Sequence, residues 1–367
     1  MNKLLHTCFK ESKFKVQIWY KFLNIKVHSK NIIYALASRI KQISAKKRKY
    51  ENMKRAFIFP GQGSQSIGMG RELYENFTEA REVFEEIDSS LSQNLSRIIF
   101  DGPEEDLNMT ENTQAALMAV SMAVVRVLEK QGGINLKDHG AFVAGHSLGE
   151  YSALTAAGTI SISNAARLLK LRGQSMQKAV PVGIGSMAAI LGLELQDVID
   201  IAKEAAGEDV CQAANDNSDG QVVVSGHKQA VERAVTLATQ RGAKKAVILP
   251  VSAPFHCALM KPAAETMAPA LQDTTFNAPC VPVVTNVTAE AETDPEKLKT
   301  LLVEQITGMV RWRESVRWMH DQGVEEMTEL GSGKVLSGLI RRIDRSINCH
   351  NAGTPEQIES LIAHLKG

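Results

Sequence analysis

The run Gly145-His146-Ser147-Leu148-Gly149 constrains this chain more than any other feature. Ala141-Phe142-Val143-Ala144-Gly145 reads as a buried strand and Leu148 to Ala157 as a helix, so the chain must reverse within this one short run. Glycines at both ends permit the sharp turn and keep side chains away from the serine, whose hydroxyl then projects from the tip. A G-x-S-x-G in this strand-to-helix setting is a nucleophile elbow, and its Leu148 N–H points at a developing oxyanion. The plainer reading, a tight turn with a capping serine, uses the same residues.

Other segments alternate in the same way. Arg55-Ala56-Phe57-Ile58-Phe59 is a short apolar strand stopped by Pro60-Gly61, and Asn112 to Lys130 repeats apolar residues at helical spacing before Gly132-Gly133. Strands separated by helices predict an α/β fold: a parallel sheet covered on both faces, with its working residues at the carboxyl ends of the strands. Residues 181–252 depart from this. They hold two strand–helix–strand units: Ser186 to Leu191, Leu195 to Ala206 and Val210 to Ala214, then Gln221 to Ser225, Lys228 to Gln240 and Lys245 to Val251. That order is ferredoxin-like. The expected architecture is a large α/β-hydrolase-like domain of residues 53–180 and 253–367, with a ferredoxin-like α+β subdomain, 181–252, inserted and a cleft between them.

The net charge of +1 hides a division. Residues 1–52 carry 13 Lys or Arg against Glu11 and Glu51, which leaves the remainder at −10. An acidic body argues against nucleic acid as a partner. The basic head is broken by Lys every few residues, too often for a transmembrane helix or a secretory signal. It reads as a targeting presequence, an amphipathic anchor, or, the favoured reading, an upstream extension that is disordered or not part of the functional protein, whose first strand follows Met53. Five scattered cysteines, with no C-x-x-C pair or zinc-clamping spacing, suit a reducing cytoplasmic setting.

A serine hydroxyl needs a base to become a good nucleophile. Of nine histidines, His6 and His28 lie in the head, His350 and His364 in a polar tail, His139 and His227 in loops, and His320 on an amphipathic helix around Trp318. His146 adjoins the serine but points elsewhere and reads as a structural hydrogen-bonder. His256 remains, in Ser252-Ala253-Pro254-Phe255-His256, where the chain re-enters the large domain beside the cleft. Gly61-Gln62-Gly63-Ser64-Gln65 lacks the G-K-[ST] of a phosphate loop, and Gly331-Ser332-Gly333-Lys334 is followed by Val335. The first loop follows a strand and can supply the second N–H of an oxyanion hole.

Taken in order, Phe59-Pro60-Gly61-Gln62-Gly63-Ser64-Gln65, Gly145-His146-Ser147-Leu148-Gly149-Glu150-Tyr151, Leu171-Arg172-Gly173, Pro250 to His256 and Val310-Arg311-Trp312 resemble the malonyl-CoA:acyl-carrier-protein transacylase family from Met53 almost to the C-terminus. The resemblance implies Ser147 as acylated nucleophile, His256 as base, and the Gln62 and Leu148 amides as oxyanion hole. It also implies a main-chain carbonyl at Gln305, in place of a carboxylate, to orient the histidine. Arg172, at a helix end facing the cleft, is implied to grip the free malonyl carboxylate, which a planar guanidinium can do with two parallel hydrogen bonds. Phe255, Asn217 and Asn286 match positions near the family's pocket, and Ala253 stands where the modular-synthase malonyl signature has a second His.

The implied reaction moves malonyl from a coenzyme A thioester to Ser147 and then to the phosphopantetheine thiol of acyl carrier protein, for fatty-acid synthesis. It needs no metal and no redox cofactor, and the chain is expected to act as a monomer. Arg241, Lys244 and Lys245 are candidates for receiving an acidic carrier, and a simple solvated cluster explains them equally well. Two alternatives stand beside it: a serine thioesterase or hydrolase of the same fold, and a non-catalytic carrier-binding scaffold.

Overall fold

The computed structural model describes residues 53–251 and 253–366. The basic head, with His6, His28 and Cys8, lies outside the described residues, as does Ser252 of the motif around His256.

The elbow is built on a six-stranded sheet. Its strands are β1 (Lys54–Phe59), β2 (Phe142–Gly145), β7 (Val283–Val284), β8 (Ala291–Glu292), β9 (Val324–Leu330) and β10 (Asn348–Ala352), in the order β10-β9-β1-β2-β7-β8. All pair in parallel except the β7–β8 edge hairpin. Ala56, Phe57, Ile58 and Phe59 of β1 are fully buried, as a central strand covered on both faces requires. Between Ala115 and Leu128 helix α1 (Thr110–Gly132) is interrupted only by Ser121 and Arg126, and every residue of that stretch but Arg126 is buried, so this part of it is a core helix. Helices α2 (Gly149–Ala156) and α3 (Ile162–Lys178) pack against it and carry the elbow and Arg172.

The second sheet contains β3 (Gly185–Leu191), β4 (Cys211–Ser218), β5 (Gln221–His227) and β6 (Lys245–Ile248), antiparallel in the order β4-β5-β3-β6. Helices α4 (Leu195–Ala206) and α5 (Lys228–Gln240) connect its strands, with the bounds the sequence predicts. Strand β4 runs past Ala214 to Ser218 along β5, and there the Val310 N–H donates to Ala214 O and the Asp216 N–H to Val310 O, which joins this sheet to the segment before Trp312. Strand β6 stops before Pro250, which has no N–H for the ladder.

Towards the C-terminus follow helices α6 (Pro295–Thr307), α7 (Trp312–Asp321), α8 (Val335–Ile343) and α9 (Pro355–Lys366). Four histidine readings need correction. His139 ends a short helix and His227 ends β5, where its Nδ1 accepts from the Val210 N–H. His350 and His364 are in no polar tail: they lie on β10 and α9, half-buried against Glu326. Polar side chains at a C-terminus look solvated in sequence, and only the β9–β10 pairing gives these two an acidic partner.

Candidate active site

The elbow's geometry explains its residues. A Cβ at Gly145 would lie 1.9 Å from Gly149 backbone atoms, and one at Gly149 would lie 2.3 Å from Phe59 O, so neither position admits a side chain. Ser147 sits at φ 53° and His256 at φ 57°, a left-handed conformation uncommon for residues with a Cβ. Strain of this kind persists where surrounding contacts hold it, and it concentrates at functional sites. For Ser147 those contacts come from Asn286: its Oδ1 accepts from the Ser147 N–H at 2.7 Å and its Nδ2 donates to Gly145 O at 2.7 Å.

Ser147 Oγ and His256 Nε2 are 2.7 Å apart. On the far side of the ring, His256 Nδ1 meets two carbonyls, Gln305 O at 2.9 Å and Gly308 O at 3.2 Å. Carbonyls only accept, so Nδ1 carries the proton, Nε2 of the neutral ring is bare, and the serine hydroxyl donates to it. Gln305 is in the last turn of α6, whose final carbonyls have no partner within the helix and stand at its negative end. A helix terminus thus occupies the position a carboxylate would take in a triad. His256 is almost fully buried, and its pKa is pushed from 6.5 down to about 3, first by burial and then by the positive charge of Arg172. The imidazole is therefore neutral and able to accept a proton across the physiological range.

Arg172 is 1% exposed. It lies within α3, which continues to Lys178, and so not at the helix end that the sequence suggests. Its Nη1 donates to Gln114 Oε1 at 2.7 Å, and its Nη2 donates to Gln305 Oε1 at 2.8 Å and to Ser147 Oγ at 3.2 Å. The Tyr151 ring lies 5.7 Å from its guanidinium carbon. Nε has no partner among the described residues. Burial makes this charge costly and lowers its pKa, an effect opposed by Tyr151 and Glu150.

Sequence reasoning assigned no role to Glu150 or Gln114. Glu150 is buried directly behind the elbow, where its Oε2 accepts from the Asn286 N–H and from Gln305 Nε2, both at 2.9 Å. Gln305 Nε2 also donates to Ser147 O at 3.0 Å. Burial raises the Glu150 pKa from 4.5 to about 7, against the Gln305 and Asn286 hydrogen bonds and the Arg172 charge. The available signal was an acidic residue followed by the buried run Tyr151 to Leu154; a carboxylate there needs internal partners.

Among the described residues, neither the Gln62 nor the Leu148 amide donates to a protein acceptor, whereas the neighbouring Ser147 amide is taken by Asn286. Leu148 precedes α2, so its N–H belongs to a positive helix end. The Gln62 turn is braced from beneath, because Ser332 Oγ donates to Ser64 O at 2.7 Å. His146 Nε2 donates to Asn217 Oδ1 at 2.8 Å, which matches the structural part expected of it and places Asn217 at second remove from the serine. Phe255 is buried immediately before His256.

A serine hydroxyl, a neutral imidazole held by carbonyls and a buried guanidinium at the same oxygen are the parts of an acyl-transfer site. Residues 56–337 match the acyl transferase domain family, and the chain belongs to it. Within that family it is 46% identical over 307 residues to the malonyl CoA-acyl carrier protein transacylase of Escherichia coli K12, covering 84% of this chain and 98% of that protein. The Bacillus subtilis transacylase of the same name is 44% identical over 312 residues, 85% of this chain and 97% of its own length. Among solved structures, the acyl-carrier-protein-S-malonyltransferase of Bartonella henselae superposes with a TM-score of 0.84 at 56% identity, covering 86% of this chain and all of that one. A malonyl-transacylase solved with its type II PKS acyl-carrier protein superposes with a TM-score of 0.82 at 42% identity, covering 84% and 99%.

Proposed function

We propose that this chain transfers a malonyl group from coenzyme A to the phosphopantetheine thiol of acyl carrier protein through a malonyl-Ser147 intermediate, supplying malonyl-carrier for fatty-acid synthesis. The observation that carries the reading is the convergence of His256 Nε2 and Arg172 Nη2 on Ser147 Oγ, at 2.7 and 3.2 Å.

In the first half-reaction Ser147 Oγ attacks the thioester carbon while its proton passes to His256 Nε2. The negative charge on the carbonyl oxygen is met by the Gln62 and Leu148 amides. Collapse breaks the C–S bond, and the imidazolium returns its proton to the departing coenzyme A sulfur. In the second, the carrier thiol gives its proton to His256 and attacks the acyl-serine, and Ser147 leaves as the alcohol. Gln305 and Gly308 hold the ring so that one nitrogen serves both steps.

Arg172 receives the malonyl carboxylate, and this links recognition to chemistry. In the unliganded site its charge depresses the basicity of His256, and one of its hydrogen bonds falls on the nucleophile itself. A carboxylate on the guanidinium neutralises the first effect and competes for the second, so malonyl raises the reactivity of the serine that attacks it. An acetyl group does neither.

Roles not carried by contacts to the serine follow from the same reading. Phe255 crowds the acyl α-carbon, and Asn286 and Asn217 act through the elbow and His146. Arg241 is paired with Glu204, which leaves exposed Lys244 and Lys245 as the stronger candidates for carrier docking. The protein works as a cytoplasmic monomer without metal or organic cofactor in catalysis. Among the described residues no helix is long and apolar enough to cross a membrane. Intact mass after incubation with malonyl-CoA tests the proposal: one malonyl adduct that disappears on adding carrier supports transfer, and rapid loss to buffer alone supports a hydrolase.

A further inference from the structure

Far from the serine in sequence, Glu326, His350 and His364 bring three ligand atoms together, all within 4.8 Å of one another. They come from three elements: Glu326 from β9, His350 from the edge strand β10, and His364 from the last turn of α9. His364 Nε2 lies 2.8 Å and His350 Nε2 lies 3.5 Å from the same oxygen, Glu326 Oε2. The two imidazole rings lie against each other at a tilt, with centroids 4.3 Å apart and planes 35° apart.

We propose that Glu326, His350 and His364 form a binding site for a divalent transition-metal ion of the zinc class, which ties β10 and α9 to β9. Zinc takes imidazole nitrogen and carboxylate oxygen at about 2.0–2.2 Å in tetrahedral geometry, so its ligand atoms stand roughly 3.3 Å apart. The two nitrogen–oxygen distances, 2.8 and 3.5 Å, bracket that value. Two imidazoles with one carboxylate select zinc, nickel or cobalt over calcium and magnesium, which take oxygen ligands.

The carboxylate is prepared for the task. Glu326 is 1% exposed, and its other oxygen, Oε1, accepts from Arg55 Nε at 2.9 Å across the β1–β9 pairing. An outer partner of this kind fixes the orientation of a ligating carboxylate. It also cancels the carboxylate charge, which holds the affinity to a modest level. The imidazoles remain partly exposed, with side chains 37% accessible at His350 and 23% at His364, so an ion has an approach from solvent. A fourth position would fall to water. The cluster shares no residue with the Ser147 network, which makes its expected effect one on the C-terminal helix and not on acyl transfer.

The test is calorimetric titration of chelator-stripped, untagged full-length protein with ZnCl2, beside His350→Ala and His364→Ala, each checked for native circular dichroism. The head adds His6, His28 and Cys8, so the informative quantity is the difference from wild type. Wild type is expected to bind one more equivalent than either variant. Zinc at a hundred times Kd should raise its folded-to-unfolded ratio about a hundredfold and its Tm accordingly, an increase that both variants lose. Malonyl transfer should stay the same with and without chelator. Identical isotherms for the three proteins, or a Tm that does not respond to zinc, would overturn the proposal and leave the cluster as a hydrogen-bonded anchor for α9.

Discussion

Replacing Arg172 by Ala separates recognition of the malonyl carboxylate from support of the site. The guanidinium is 1% exposed, so a carboxylate bound to it is shielded from water on the protein side. Hydrogen bonds to charged groups contribute about 1.5–3 kcal/mol each, so a two-fold grip is worth roughly 3–6 kcal/mol. At about 1.4 kcal/mol per factor of ten, kcat/KM for malonyl-CoA should fall by about two to four orders of magnitude. Acetyl-CoA should respond differently. It never engages the guanidinium, and removing that charge relieves one cause of the depressed His256 pKa, so its kcat/KM should hold or rise a few-fold. The variant also leaves Gln114 Oε1 and Gln305 Oε1 without their donor, and a lower Tm is expected from that alone. The assay is therefore kcat/KM for both thioesters, at a temperature where circular dichroism shows both proteins folded. An equal fall for the two substrates would refute the argument, since it would make Arg172 a support for Gln305 and not a reader of the carboxylate.

Other outcomes follow from the same contacts. Ser147→Ala should abolish the malonyl adduct in intact mass spectra and leave the fold unchanged; an adduct that persists would move the nucleophile elsewhere. Glu150→Gln, which keeps an acceptor for Gln305 Nε2 and the Asn286 N–H, should retain activity within about tenfold, whereas the similarly sized Glu150→Met, which does not, should lose far more kcat than KM. If the two variants behave alike, Glu150 only fills space. The raised Glu150 pKa also sets a pH dependence with a definite sign: the folded state binds the proton more tightly, so ionisation costs stability progressively from pH 4.5 to about 7 and the loss is constant above that. The Tm difference, Glu150→Gln minus wild type, should therefore grow across that window in thermal melts, and a flat difference would contradict it. Deleting residues 1–52 should leave kcat/KM within a few-fold; an insoluble or inactive product would make the head part of the working protein.

The site was legible in sequence where chemistry and backbone share one short run. Gly145 and Gly149 have to be glycine because the elbow brings backbone atoms into the space of their Cβ, and that requirement is written locally. The α4 and α5 bounds were equally plain, because an amphipathic period of 3.6 residues is a local signal. His256 was reached by elimination, and the eliminations were only partly sound, since four other histidines were misplaced. The arrangement around the serine was much less legible. Gln305 lies 158 residues from Ser147, yet its carbonyl, Oε1 and Nε2 hold His256, Arg172 and Glu150 in turn. The family resemblance implied the carbonyl alone; a glutamine side chain on a helix has no sequence signature for the other two tasks.

By itself, then, the sequence determined the alternation of strands and helices, the elbow and its serine, and the inserted ferredoxin-like order of elements. Each of these is governed by backbone sterics or by hydrophobic periodicity over a few residues. Only the tertiary structure decided that the Gly308 carbonyl joins that of Gln305 at His256, that Arg172 reaches Ser147 Oγ from inside a helix, that Glu150 lies buried beneath both, and that Glu326, His350 and His364 meet. Those contacts depend on distances between segments far apart in the chain. They are fixed by how β1, β2 and β9 pair and by where the last turn of α6 ends, which no local pattern of residues records.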